Sequence, residues 1–259
     1  MSDIRPFSSL EAHLEQSTEP QRCVVDTQLL IASLYDPSAF YEDVVELTAI
    51  LGRYGVKVYS NVNIRAEFLD IQRRIFLTEH LMDLLEDQNV KLSRSARSFL
   101  QSNIKAWLNR QDEGQKILSD RKLKESRDVF PLVPHSGHIG WVQFCEYALA
   151  NLEESWGLLE ETYSLEYISL REEDKSPLVA GEVTWGNMIQ ISKKVGISTH
   201  DAMILNLFFN CEVEFLISAD ADVCFGGLVS RSTKPIFAPD GLYKRNFKRY
   251  ENKKFLRQF

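Results

Sequence analysis

The sequence predicts an α/β fold: an open parallel β-sheet flanked by helices, with an α-helical insertion. Two observations predict it. Short apolar runs alternate with helical periodicity in the first eighty residues, and again from about residue 184 onward. Strand, helix, strand, helix with short connections is the order that builds a parallel sheet. The stretch between these two regions shows helical spacing and no strand signal of similar quality.

The elements follow in chain order. RCVVD, residues 22–26, is a short apolar run ending in an acid and reads as a buried strand, with a helix from Thr27 to Tyr35. Asp36-Pro37-Ser38 is a turn signal. Phe40, Val44, Leu47, Ile50 and Leu51 recur at helical spacing over 39–53, Gly55 stops that helix, and VKVYS at 56–60 alternates as a second strand. Ile64, Phe68, Ile71, Ile75 and Phe76 fit a helix over 64–77. In the insertion, Leu92, Ala96, Phe99, Leu100, Ile104, Trp107 and Leu108 mark one helix, and residues 139–161 mark another. Late in the chain, Met188 to Val195 is helical and closed by Gly196, and Ser198 caps the next helix. A strand at 214–218 and a last one at 235–238 complete the sheet. The sheet-bearing core is thus expected at 20–80 and 184–240, the helical insertion at 81–183, and a basic, aromatic C-terminal tail at 241–259.

Composition is that of an ordinary globular chain: 259 residues, 44% hydrophobic and 26% charged. No apolar run approaches a membrane span, and the polar, acid-bearing start does not read as a signal peptide. The four cysteines, at 23, 145, 211 and 224, form no CxxC pair. Three lie in apolar contexts and are expected to be buried thiols, with a reducing cytoplasm as the simplest compartment. The net charge of −7 does not suggest a nucleic-acid binder by bulk electrostatics. Its distribution says more. Residues 91–127 carry ten Lys/Arg against four Asp/Glu, residues 244–259 seven against one, and residues 153–182 two against nine.

Five acids stand where strands meet helices. Asp26 ends the first strand, Glu67 begins the helix after the second, and Asp201 lies in the first turn opened by Ser198. Asp220 and Asp222 follow the late strand. Each has a purely structural alternative, as a helix cap or a first-turn acid favoured by the helix dipole. Their common position is more telling. In an open parallel sheet, ligands bind beyond the carboxyl ends of the strands. Carboxylates about 5 Å apart repel by roughly 3 kcal/mol per pair at an effective dielectric near 20, so a gathering of them calls for protonation or a cation. Oxygen ligands without Cys or His favour a hard ion, Mg²⁺ or Mn²⁺.

The stretches CVVDTQLLI (23–31), YSNVNIRAEFLD (59–70), GISTHDAMIL (196–205) and EFLISADADV (214–223) resemble those of the PIN-domain nucleases in order, context and acid identity. The resemblance covers about 20–80 and 184–240. It implies a PIN-like sheet and a metal-dependent endoribonuclease whose catalytic acids are Asp26, Glu67, Asp201 and Asp220. The same four hold Mg²⁺ or Mn²⁺, with Asp222 as an auxiliary metal ligand. Ser218 and Thr27 are implied as auxiliary hydroxyls. Such an ion activates water for attack on phosphorus and leaves a 5′-phosphate and a 3′-hydroxyl. The gap between Glu67 and Asp201 is much longer than in compact toxin-like members and is filled by the insertion.

An acidic cleft repels the phosphates it cuts, so basic groups should offset it. Arg65, His200, Lys244, Arg245, Lys248 and Arg249 are candidate substrate contacts. The tail interleaves these cations with aromatics at 243, 247, 250, 255 and 259, a composition suited to phosphate contact and base stacking. A packed, solvated last helix explains it as well. His135 and His138 form an HxxH pair in a loop without a further ligand in sight. RNA is the expected partner, with DNA, a protein regulator or antitoxin, and self-association all compatible with the sequence. Two other functions compete: a PIN-fold module that recruits a protein partner, and a nuclease directed at DNA, since four acids do not distinguish ribose from deoxyribose.

Overall fold

The computed structural model describes residues 3–109, 117–230 and 233–250. Its described residues fall into two compact units. One takes in the described residues of Met1–Phe68 and Leu159–Phe259, the other those of Leu69–Leu158. The helical unit therefore starts and ends earlier than the 81–183 read from periodicity.

The first unit holds the sheet. Strand β1 is Ile4–Pro6, and after helix α1 (Leu10–Glu15) comes β2 (Arg22–Val25). Helices α2 (Thr27–Leu34) and α3 (Tyr41–Arg53) lead to β3 (Lys57–Ser60). Helix α4 (Val62–Glu86) then carries the chain into the second unit. That unit contains α5 (Arg94–Phe99), a π-helical stretch at Leu100–Lys105, α6 (Ala106–Leu108), α7 (Asp120–Arg127) and α8 (Trp141–Ala148). Helix α9 (Leu152–Tyr163) returns the chain to β4 (Glu166–Tyr167). Helices α10 (Trp185–Val195) and α11 (Thr199–Asn210) precede β5 (Phe215–Ile217), and α12 (Ala221–Ser230) precedes β6 (Ile236–Ala238). Helix α13 (Asp240–Asn246) follows.

The six strands form one sheet in the order β1-β6-β5-β2-β3-β4, with every pairing parallel. The expected α/β class is therefore what the chain adopts. Central strands of such a sheet are covered on both faces and read as unbroken apolar runs. Cys23, Val24 and Val25 of β2, all of β5 and all of β6 are buried. Two strands escape the sequence reading. β1 has three residues and includes Pro6, which only an edge position tolerates. β4 has two exposed residues inside the stretch read as wholly helical, and so offers no apolar alternation.

The strand order creates a switch point. The chain runs outward from β2 through β3 to β4 on one side, and outward from β5 to β6 on the other. β2 and β5 are neighbours whose connections leave in opposite directions, which opens a crevice at their carboxyl ends. At the opposite edge, Arg22 clamps the same two strands: its guanidinium and backbone N–H both donate to Glu214, with Nη2 to Oε1 at 2.7 Å.

The second unit has its own apolar core, with Leu81, Leu100, Ile104, Leu118 and Phe144 fully buried. The single helix read at 92–108 is continuous through its π-helical stretch. The helix read at 139–161 is two, broken between Ala148 and Leu152. His135 and His138 close a tight two-residue turn in which Ser136 and Gly137 have φ of 51° and 78°, the pairing that right-twisted hairpin strands prefer.

Candidate active site

Asp26 is the first residue past β2 and caps α2, its Oδ1 accepting from Leu29 N at 2.8 Å. Its other oxygen, Oδ2, accepts from the Ser218 hydroxyl at the end of β5. The register explains the meeting. Val25 pairs with Ile217, so Asp26 and Ser218 are the next residues on neighbouring strands. Asp26 is only 1% exposed. Burial pushes its carboxyl up to about 7 from an ordinary 3.8; bonds from Ser218, Leu29 and Ala219 pull the other way, and the charge of Asp220 adds to the rise.

Thr27, one residue on and buried, donates from its hydroxyl to Glu67 Oε2 at 2.7 Å. Glu67 projects from the second turn of α4, so this bond ties the helix after β3 to the start of the helix after β2. Asp201, 9% exposed, sits in the first turn of α11. Its backbone N–H donates to the capping Ser198 hydroxyl at 3.2 Å. Burial raises the Asp201 carboxyl above the usual range; a bond from Ser198 opposes the rise, and the charges of Asp220, Glu67 and Asp222 reinforce it. Asp201 thus feels three of the other acids, each from a different part of the chain or a neighbouring turn.

Asp220 and Asp222 lie on a turn and a helix start, past the end of β5. Residues two apart address one site together if the strand continues, but β5 ends at Ile217. The chain turns at Ser218, whose Oγ accepts from Asp220 N at 3.0 Å. Asp220 then starts α12, its Oδ1 accepting from Asp222 N at 2.6 Å. Asp220 is half-buried, and Asp222 is exposed in the first helical turn. Burial and the nearby Asp222 charge raise the Asp220 carboxyl, against the bonds from Asp222 N and Val223 N. The two acids therefore differ in depth.

The other expected contacts spread around this edge. His200 is exposed on the first turn of α11. Arg65 is half-buried on α4, and its charge, with that of Arg171, acts on the phenol of Tyr167 at the end of β4. Tyr167 is 49% exposed and pairs with Ser60 of β3. Lys244 and Arg245 are exposed on α13, which starts just past β6 at the same sheet edge. Lys244 acts on Asp43 of α3, Arg245 donates to Gly241 O, and Arg249 lies over the Tyr250 ring at 4.8 Å. Lys248 is exposed. Among the described residues, no hydrogen bond or ion pair joins these four tail cations to the acids. Phe255 and Phe259 lie outside the described residues.

The donor set is oxygen-only and suits a hard cation by its chemistry. It is an open cluster: among the described residues, no three or more His, Cys, Asp or Glu side chains form a group placed to hold a metal ion. Compared with protein-family models, with curated proteins and with solved structures, the chain finds no match in any of the three. No helix among the described residues is long and apolar enough to cross a membrane. Cys23, Cys211 and Cys224 are buried free thiols, and Cys145 is half-buried.

One residue at this edge goes unremarked in the sequence reading. Asn61 follows β3 as Asp26 follows β2, and caps α4 through Oδ1, which accepts from Ile64 N at 3.0 Å. It is 0% exposed, and its Nδ2 has no acceptor among the described residues. The available signal was an Asn directly after an alternating strand, three residues before the first core position of a helix.

Proposed function

We propose that the chain is a Mg²⁺- or Mn²⁺-dependent nuclease of the PIN type that hydrolyses phosphodiester bonds in RNA. The observation that carries this reading is that Asp26, Glu67, Asp201 and Asp220 lie near enough for their charges to act on one another, with Asp220 acting on Asp26 and on Asp201, and Glu67 on Asp201. They come from four elements spread over some two hundred residues. Three of the four carry carboxyls raised above their ordinary values, as befits a site that works with a cation in place.

A bound divalent ion would lower the pKa of water and offset charge on the leaving oxygen. The chain's own residues supply the rest. Ser218 and the Leu29 amide fix both oxygens of Asp26, so this carboxyl is the rigid member. Thr27 orients Glu67. Ser198 holds the first turn of α11 and with it Asp201. Asp220 is set by the turn at Ser218. Asp222, exposed at the rim, serves as the auxiliary acid. With Asp26 and Asp201, the half-buried Glu67 and Asp220 would hold the ion. Arg65, His200 and Tyr167 border the site and offer a phosphate a guanidinium, an imidazole and an aromatic face.

A second reading has one observation in its favour. Asp26 and Asp220 each cap a helix, which gives them a structural use in a module that only recruits a protein. Cleavage separates the two. Purified protein is incubated with single-stranded RNA and DNA, with Mn²⁺ or with EDTA, beside Asp26→Asn and Asp201→Asn. Metal-dependent cleavage of RNA, lost in both variants, is expected. Cleavage of DNA alone would redirect the reading to a deoxyribonuclease. No cleavage of either, or equal cleavage by the variants, would leave the binding module.

A further inference from the structure

We propose that Asn61 is a substrate-binding residue of this site, its side-chain amide donating to an oxygen of the phosphate bound there. The proposal rests on the nuclease reading. It starts from a register. Val24 of β2 pairs with Tyr59 of β3, so Asp26 and Asn61, each two residues further on, stand level on the same face of the sheet. Ser218 stands level with Asp26 on the other side. The row Ser218, Asp26, Asn61 thus crosses three central strands, about 10 Å in all at the usual strand spacing.

Asp26 and Asn61 are built alike. Each follows the last residue of its strand, and each caps the next helix with Oδ1 on the backbone N–H three residues later. That cap also settles the orientation of the Asn61 amide. Turning it over would set an NH₂ against the Ile64 N–H. The unused atom is therefore the donor, Nδ2.

In Asp26 the second atom is satisfied by Ser218. In Asn61 it finds no acceptor among the described residues, although the residue is fully buried. A buried donor left unpaired is costly, so one kept at a sheet edge invites a ligand. The ligand's chemistry follows from what surrounds it. The acids present only acceptor oxygens, and a phosphodiester presents only acceptor oxygens. The Thr27 and Ser218 hydroxyls are already spent on Glu67 and Asp26. The amide of Asn61 supplies a donor within the row itself. It is buried to the same degree as Asp26, at 0% against 1% exposed, and stands level with it at the sheet edge.

The test measures binding and stability in parallel. A fluorescent single-stranded RNA oligonucleotide is titrated by anisotropy with Ca²⁺ in place of Mg²⁺, for wild type, Asn61→Ser and Asn61→Asp. Both variants keep an oxygen that can cap Ile64 N, and neither has the amide donor. The expected result is a Tm close to wild type in both, with RNA binding weakened at least tenfold. Wild-type binding within twofold in Asn61→Ser, or a loss confined to Asn61→Asp, would overturn the role of Asn61 and leave the nuclease reading standing. Failure of the wild type itself to bind RNA would overturn both.

Discussion

The Ser218 hydroxyl donates to the buried carboxyl of Asp26 from 192 residues away in the chain. The bond joins the ends of β5 and β2, the two strands on either side of the crevice. It also compensates a carboxylate that burial otherwise disfavours. Ser218→Ala removes the donor and leaves the oxygen enclosed. Hydrogen bonds to charged groups contribute about 1.5–3 kcal/mol, and a loss of that size is expected in urea denaturation. Nuclease activity should fall with it.

The raised carboxyl of Asp26 sets a pH dependence. Its folded value is about 7 against an ordinary 3.8, so between those values the folded chain binds more protons than the unfolded one. Stability therefore falls as pH rises through that window. Asp201 and Asp220, raised as well, act in the same sense. In chelator, the wild-type Tm should drop from about pH 5 to about pH 8 more steeply than that of Asp26→Asn. At the upper pH, Asp26→Asn should be the more stable and the inactive protein, and Mn²⁺ should raise the wild-type Tm. Parallel Tm curves for the two proteins would count against this account of Asp26.

Arg22 and Glu214 hold β2 and β5 together at the edge away from the site. Their side chains are 32% and 30% exposed, so solvent screens the pair and its contribution is about 1 kcal/mol. Glu214→Gln should lower stability by that order and leave the KM for RNA unchanged. A large KM effect would mean that the clamp sets the geometry of the opposite edge.

Helix α12 lies close against its neighbours because Gly226 and Gly227 carry no side chain. A Cβ at Gly226 would stand 2.5 Å from Leu205 Cδ1 and 2.9 Å from Ile197 Cδ1. In Gly226→Ala the Leu205 and Ile197 side chains must shift, at the packing of α12, capped by Asp220, on α11, which carries Asp201 in its first turn. Overpacking of this kind costs about 1–3 kcal/mol. Cleavage should fall more than stability alone explains, measured well below the variant's Tm.

The sequence made the central strands legible because each is a compact apolar run ending in a polar residue, as RCVVD shows. It made α3 and α10 legible through spacing and, for α10, through Gly196, whose φ of 73° lies in the left-handed region. β4 stayed hidden because Glu166 and Tyr167 are exposed and form a strand only by pairing with Tyr59 and Ser60. The acids could be found from their places at strand ends. Their conformation could not: Ser218 turns the chain so that Asp220 starts a helix, an outcome settled by local hydrogen bonds that apolar periodicity does not record. Asn61 carries no charge for a pattern of acids to reveal, and its unpaired Nδ2 is visible only in three dimensions.

The central claim is that acids from distant segments form one cation site. Mn²⁺ binding followed by electron paramagnetic resonance tests it most directly, with wild type beside Asp26→Asn, Glu67→Gln, Asp201→Asn and Asp220→Asn. Asp36→Asn, at an exposed turn, is the control. The account predicts saturable binding by wild type and by the control, weakened at least tenfold in each of the four variants. Absence of saturable binding by wild type, or isotherms unchanged across the variants, would contradict it.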